Sequence, residues 1–273
     1  MRPLTVCLVA VTLIATLHAS IIPTVHLDQV TLAAYQEYVT SFEKTVLEQF
    51  NNSGRMWIDS DSKKGNFDAG KPVVEPRRNE DLANGSVHHF SGSIHVNGAN
   101  IDSVRKVMQD YSHYVEIFKP DLGSASGTRE ADSTPEDEHF KAKLMLVQTT
   151  LWMSVTYDTL YDTHYRRTGK DRWTSRSVAL NIKEARDPKN PAAGYLPEGD
   201  DHGFLWKTNT YWLARERNGG LDLQADSIAL SRPNPTGFAW WGTRRSREAV
   251  DKMLKDVKAG IENHNDSHND SRK

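Results

Sequence analysis

The stretch GFLWKTNTYWLARERNGGLDLQADSIALSR, Gly203 to Arg232, decides the fold. Taken at every second residue it presents Phe204, Trp206, Thr208, Thr210 and Trp212 on one side, and Leu205, Lys207, Asn209, Tyr211 and Leu213 on the other. Beyond Asn218-Gly219-Gly220, the residues Leu221, Leu223, Ala225, Ser227 and Ala229 alternate with Asp222, Gln224 and Asp226. Side chains along a strand point alternately to opposite faces, so this pattern on both sides of a glycine turn predicts a β-hairpin. One face of the hairpin carries aromatic, hydroxylic and small residues. The acids of its second strand fall on the opposite face, where solvent is the expected neighbour.

Five further strands are predicted upstream: Gly85 to Val96, Leu122 to Glu130, Glu138 to Gln148, Trp152 to Arg167, and Arg172 to Ala185. The segment from Ala99 to Phe118 reads as short helices stopped by Pro120. An amphipathic helix is expected from Asp28 to Phe50, with Val30, Ala34, Tyr38, Phe42, Val46 and Phe50 at helical spacing. Asn51 to Asn84 reads as a long connection with one short strand at Met56-Trp57-Ile58. A last helix, Ala249 to Asn263, carries the stripe Ala249, Val250, Met253, Leu254, Val257 and Ile261. Successive strands with short links pair antiparallel, and the apolar face of such a sheet must be covered by helices. The expected organisation is an apolar leader (1–19), a helix and connection (20–84), the sheet with its helix (85–263) and a disordered polar tail (264–273).

This order resembles the helix-grip fold of the START-like (SRPBCC) superfamily. The runs VTYDTLYDTHY, RWTSRSVALNIKEA and the hairpin look like a bacterial branch of it, over about Gly85 to Asn263. The resemblance implies an α+β fold in which a curved seven-stranded antiparallel sheet grips a long C-terminal helix, with an extra N-terminal helix outside the grip. It also implies a small hydrophobic or amphipathic molecule bound between sheet and helix. A minority of the superfamily, such as polyketide cyclases, are enzymes that use the same space, and the resemblance supplies no catalytic residues.

The alternation places Leu144, Tyr157, Thr159, Tyr161, Trp206, Thr208, Thr210, Ala225 and Ser227 together on the covered face. An unpaired buried hydroxyl costs about 1–3 kcal/mol, so threonines and serines among aromatic walls suit a ligand pocket better than a solid core. The alternative is a filled core whose threonines bond to backbone or water. On the pocket reading, Trp206→Ala is expected to abolish ligand binding and leave the fold cooperative. Three functions follow: a carrier, a cyclase-like enzyme using Tyr157, Tyr161 or a buried acid, or a pocketless module that pairs through its N-terminal helix.

The start of the chain reads as a signal for export. Arg2 precedes the uncharged run Leu4 to Leu17, and the small residue Ala19 offers a cleavage point. The expected location is secreted or periplasmic, with no stable membrane insertion once the leader is removed; an uncleaved anchor is the alternative. Cleavage would remove Cys7, the only cysteine, and leave packing to hold the fold. A net charge of −2 gives no footprint for nucleic acid.

No P-loop, dinucleotide fingerprint, zinc-protease motif or serine elbow occurs, so no cofactor and no metal are expected. His88 and His89 are adjacent on a strand and face opposite ways, which disfavours a shared ion. The repeated HNDS at His264 and His268 reads as a solvated end. Asp226, Arg232 and Arg176 are expected to pair at the surface or to hold an acidic group of a ligand. Arg244, Arg245 and Arg247 form a basic turn before the last helix. Sequons at Asn51, Asn84, Asn265 and Asn269 matter only in a eukaryotic secretory pathway.

Overall fold

Period-two patterning with Asn218-Gly219 at its centre produces the expected hairpin, because both turn residues take the positive φ that a two-residue turn requires, 55° and 71°. The computed structural model describes residues 22–60, 62–149, 153–233 and 239–270. The leader therefore lies outside the described residues.

In chain order the elements are β1 (Val25–His26), α1 (Gln29–Phe42), a π-helical turn (Glu43–Leu47), α2 (Glu48–Ser53), a 3₁₀ turn (Trp57–Ser60) and α3 (Lys64–Asp68). They continue with β2 (Val73–Asp81), β3 (Ser86–Asn97), α4 (Ile101–Gln109), α5 (Tyr114–Ile117), β4 (Leu122–Arg129), β5 (Asp137–Thr149) and β6 (Ser154–Arg167). The remainder is β7 (Arg172–Glu184), a 3₁₀ turn (Pro191–Ala193), β8 (Asp200–Asp201), β9 (Lys207–Arg217), β10 (Gly220–Ser231) and α6 (Ala239–Asp270). Eight strands form one antiparallel sheet in the order β2-β3-β10-β9-β7-β6-β5-β4, while β1 and β8 pair separately. This is the expected α+β arrangement of a sheet gripping its last helix. Among the described residues, no helix is long and apolar enough to cross a membrane.

The grip is made by the predicted stripe. Val250, Leu254, Val257 and Ile261 are buried against Phe90, Ile94, Leu221 and Leu223 of the sheet and against Ile101, Val104 and Val107 of α4. Gly92 lets the helix sit close, since a Cβ there would lie 2.6 Å from the Leu254 side chain and 2.7 Å from Val250.

Four expectations are corrected. The sheet has eight strands rather than seven, because β2 lies in the segment read as a connection. Pro76 and the charges after it hide its alternation; β2 is an edge strand, and its pairing shifts between Pro76 and Arg78, where proline is tolerated. Met56 to Ile58 is not a strand but leads into a 3₁₀ turn, which the Asp59 side chain closes by accepting from the Met56 N–H at 2.9 Å. The last helix starts at Ala239 and continues to Asp270, through polar residues read as a frayed tail. A helix already anchored by packing propagates through them because no proline interrupts it.

The fourth correction concerns the N-terminal helix. Its buried stripe is Tyr35, Val39, Phe42 and Phe50, while Val30 is 73% exposed. That stripe is not free for another protein: Tyr35, Val39 and Phe42 pack on the sheet face opposite α6 with Val87, Tyr211, Ile228 and Leu230, and Phe50 packs with Val73 and Leu213. The inner strands are therefore covered on both sides, and the acids of β10 are buried rather than solvated. Asp226 takes hydrogen bonds from Gln224 (2.7 Å) and from Ser91, and pairs with His89 at 3.1 Å.

Candidate functional site

The antiparallel register brings one residue from each strand into a line across the gripped face. Phe140 faces Thr163, Thr163 faces Ser177, Ser177 faces Thr210, Thr210 faces Ser227, and Ser227 faces Phe90. Four neighbouring strands thus contribute four hydroxyls in a row, with a phenylalanine at either end. Thr163 donates to Ser177 at 3.1 Å, whereas the Thr210 and Ser227 hydroxyls bond to no other described residue. Ser177, Thr210 and Ser227 are half-buried, as are Phe140, Leu144, Leu146 and Ala229 on the same face. The face is thus sealed under α6 around Ala225 and Trp212 and stays accessible along the hydroxyl row and the β5 side. Such a surface offers an apolar molecule contact area and a few donors for orientation.

Eight of the nine predicted residues lie on this face. Leu144, Thr159, Tyr157 and Tyr161 project from β5 and β6, Thr208 and Thr210 from β9, and Ala225 and Ser227 from β10. They do not form one lining. Thr159 is buried and donates to the Leu144 carbonyl at 2.8 Å, which leaves its hydroxyl satisfied. Ala225 is fully buried in the closed part of the core.

Trp206 is the correction. It packs with Leu27, Tyr35, Val39 and Leu230 on the opposite face, 2% exposed. Strand β9 begins only at Lys207, and the preceding residues bend after Gly203 (φ 70°), so alternation counted back past Lys207 assigns the wrong side. Thr163 and Ser177 complete the row. The small-residue alternation Ser175, Ser177, Ala179 in β7 carried their signal, but without β7's register its face was open.

Beside β8, the end of the sheet carries buried acids. Tyr157 is fully buried and its hydroxyl has no hydrogen-bond partner among the described residues. Burial pushes its pKa up, with the charges of Glu184 and Asp201 adding to the effect, so the group stays protonated and keeps a hydroxyl hydrogen to donate. Glu184 faces Tyr157 in register and is hydrogen-bonded by the His202 backbone N–H (3.2 Å) and the His202 ring. Asp201 accepts from the Gly203 N–H at 2.7 Å and from Trp206 Nε1 at 3.0 Å. Burial, opposed by these bonds and reinforced by Glu184, pushes the Asp201 pKa up to about 6.

The consequence for stability has a definite sign. Between pH 4 and 6 the folded chain holds a proton on Asp201 that the unfolded chain has released, so this group's contribution falls as pH rises through that window. Discounted for solvent screening, the rise to about 6 is worth on the order of 1–2 kcal/mol. Asp201→Asn keeps the acceptor and removes the charge. Relative to the parent it is expected to gain stability from pH 4 to 6, as measured by urea unfolding at each pH. A pH-independent difference would contradict the assignment.

The remaining charged candidates do not converge here. Arg176 pairs with Glu43 at 2.7 Å, Arg232 donates to the Pro23 and His202 carbonyls, and Asp226 is enclosed with His89, so the expected Asp226–Arg232–Arg176 grouping is absent. Arg247 is exposed, and the side chains of Arg244 and Arg245 lie outside the described residues. His88 bonds Ser231 at 3.0 Å while His89 bonds Tyr38 at 2.7 Å on the other face, as adjacent strand residues should. An open cleft of about 280 Å³ lies between α4 and the sheet, but its arginines are engaged: Arg105 binds Glu138 through two 2.6 Å bonds, and Arg167 binds Asp102 at 3.3 Å.

No protein-family model matches the sequence, and no curated protein matches it. Solved structures similar to the chain include a STAR-related lipid transfer protein from Xanthomonas axonopodis, 16% identical, TM-score 0.46, covering 69% of this chain and 98% of that one. Human STARD10 is 11% identical with a TM-score of 0.45, covering 72% and 76% respectively. The Zhui aromatase/cyclase from a Streptomyces species is 14% identical with a TM-score of 0.37, covering 64% and 94%.

Proposed function

We propose that the protein binds a small apolar or amphipathic molecule along the gripped face of its sheet, outside the cytoplasm, without transforming it. The observation that carries this reading is the hydroxyl row. Thr210 and Ser227 present unpaired donors on a face that also carries half-buried Phe140, Leu144 and Ala229, where a sealed core would hold aliphatic side chains. An acyl or ring body would lie against the apolar residues, with its polar end reaching the hydroxyls. The apolar leader supports export, since a carrier removed from its source meets extracellular ligands.

A second reading has its own support. Buried Tyr157, Glu184 and Asp201 lie near one another at the β8 end of the sheet, with one acid raised towards neutrality, as proton-handling sites require. An enzyme of the cyclase type would use Tyr157 as a donor.

The test is mass spectrometry of protein purified from its own host under native conditions, to find a co-purifying molecule, followed by displacement of a fluorescent fatty acid. Ser227→Phe combined with Thr210→Leu fills the row and is expected to weaken the probe by about tenfold or more, equivalent to about 1.4 kcal/mol. Unchanged affinity in a variant that melts cooperatively would overturn the proposal. Recovery of a chemically altered ligand, lost in Tyr157→Phe, would favour the enzyme.

A further inference from the structure

We propose that His139, Asp162 and His164, on the sheet face opposite α6, form a binding site for a divalent transition-metal ion such as Zn²⁺. The register creates the constellation: His139 on β5 faces His164 on β6, and Asp162 lies two residues before His164 and so on the same face. One ligand atom from each residue lies within 4.8 Å of the other two. Helix α1 packs over other strands, so this part of the face is only half-buried.

What separates this trio from a chance surface cluster is its surroundings. Each histidine is held from behind by its own carboxylate: His139 Nδ1 bonds Asp132 at 2.6 Å, and His164 Nδ1 bonds Asp137 at 2.9 Å. Asp137 is in turn held by Arg166 at 2.6 Å. A carboxylate on Nδ1 fixes the proton there and directs Nε2 towards the ion, the arrangement by which metal-binding histidines are oriented. Both Nε2 atoms are directed to the Asp162 carboxylate, at 2.8 Å for His139 and 3.6 Å for His164. Two imidazoles and one carboxylate suit Zn²⁺, and solvent can complete the tetrahedron.

Without an ion, two side chains serve the carboxylate. Lys141 places its ammonium on Asp162, and His139 donates to the same oxygen. The rings of His139 and His164 stack at 4.2 Å with planes 10° apart. Binding replaces the Nε2 proton of His139, which passes to solvent, displaces Lys141, and turns the two rings out of the stack so that their lone pairs converge. Lys141 is therefore a built-in competitor, and its removal strengthens binding.

The experiment is calorimetric titration of the full chain with Zn²⁺, and with Co²⁺ followed by its visible absorption, in a background of His264→Ala and His268→Ala that excludes the histidines of the tail. One ion per chain is expected, with the absorption pattern of a tetrahedral site. His164→Ala abolishes binding, Asp137→Ala weakens it by about 10–100-fold, and Lys141→Ala tightens it. Circular dichroism confirms that each variant is folded; if His164→Ala is not, Asp162→Asn replaces it with the same expectation. No binding at micromolar ion, or binding indifferent to His164→Ala and Lys141→Ala, overturns the proposal.

Discussion

Asp222→Ala is expected to lower the free energy of unfolding by about 3–5 kcal/mol, the range for removing one partner of a buried ion pair. Asp222 is fully buried between the sheet and the N-terminal segment. Its carboxylate holds His95 Nδ1 at 2.7 Å, Arg215 at 2.8 Å and Arg217 at 2.7 Å. Arg215 also grips both oxygens of Asp59 at 3.0 and 2.9 Å and the Gly54 carbonyl at 2.8 Å, so the network ties the Trp57–Ser60 turn to the hairpin. Without Asp222, two guanidinium groups face each other with only Asp59 and the partly exposed Asp68 to balance them. Urea unfolding monitored by circular dichroism measures the loss. A change below about 1 kcal/mol would mean that water screens the network as it screens a surface pair.

The same carboxylate shows where sequence reasoning stops. Alternation assigned Asp222, Gln224 and Asp226 to the correct face of β10, and the four-strand consistency of the opposite face held through Phe140, Thr163, Thr210 and Ser227. What alternation does not reveal is what lies above a face. A polar row looks the same whether it meets water or a helix bearing complementary groups, and the complements here come from distant residues such as Tyr38, Asp59 and His95. The hydroxyl row was partly legible because Thr210 and Ser227 interrupt an otherwise apolar face. Its completion by Ser177 depended on pairing between β7 and β9, which only the fold supplies. The acidic end was hidden for the same reason: Glu184 and Asp201 belong to different segments, and their burial comes from tertiary packing. Edge strand β2 was obscured by Pro76, a residue whose tolerance at that place follows from its position in the sheet.

Trp206→Ala provides the other large effect, and its direction reverses the expectation drawn from alternation. Loss of stability of about 3–5 kcal/mol is expected, as for other buried aromatic deletions, with affinity for a ligand on the gripped face unchanged. The indole fills the space between α1 and the sheet beside Tyr35 and Leu230, and its Nε1 donates to buried Asp201 at 3.0 Å. Truncation opens a cavity there and removes one of the two donors that hold Asp201. Trp206→Phe separates these contributions: it retains most of the packing and loses only the hydrogen bond, with an expected cost of about 1–3 kcal/mol. The two measurements needed are urea unfolding and displacement of a fluorescent fatty acid by the same preparations. A variant that unfolds like the parent but no longer holds the probe would place the indole in the ligand site after all, and would move the binding surface from the hydroxyl row to the bend before β9.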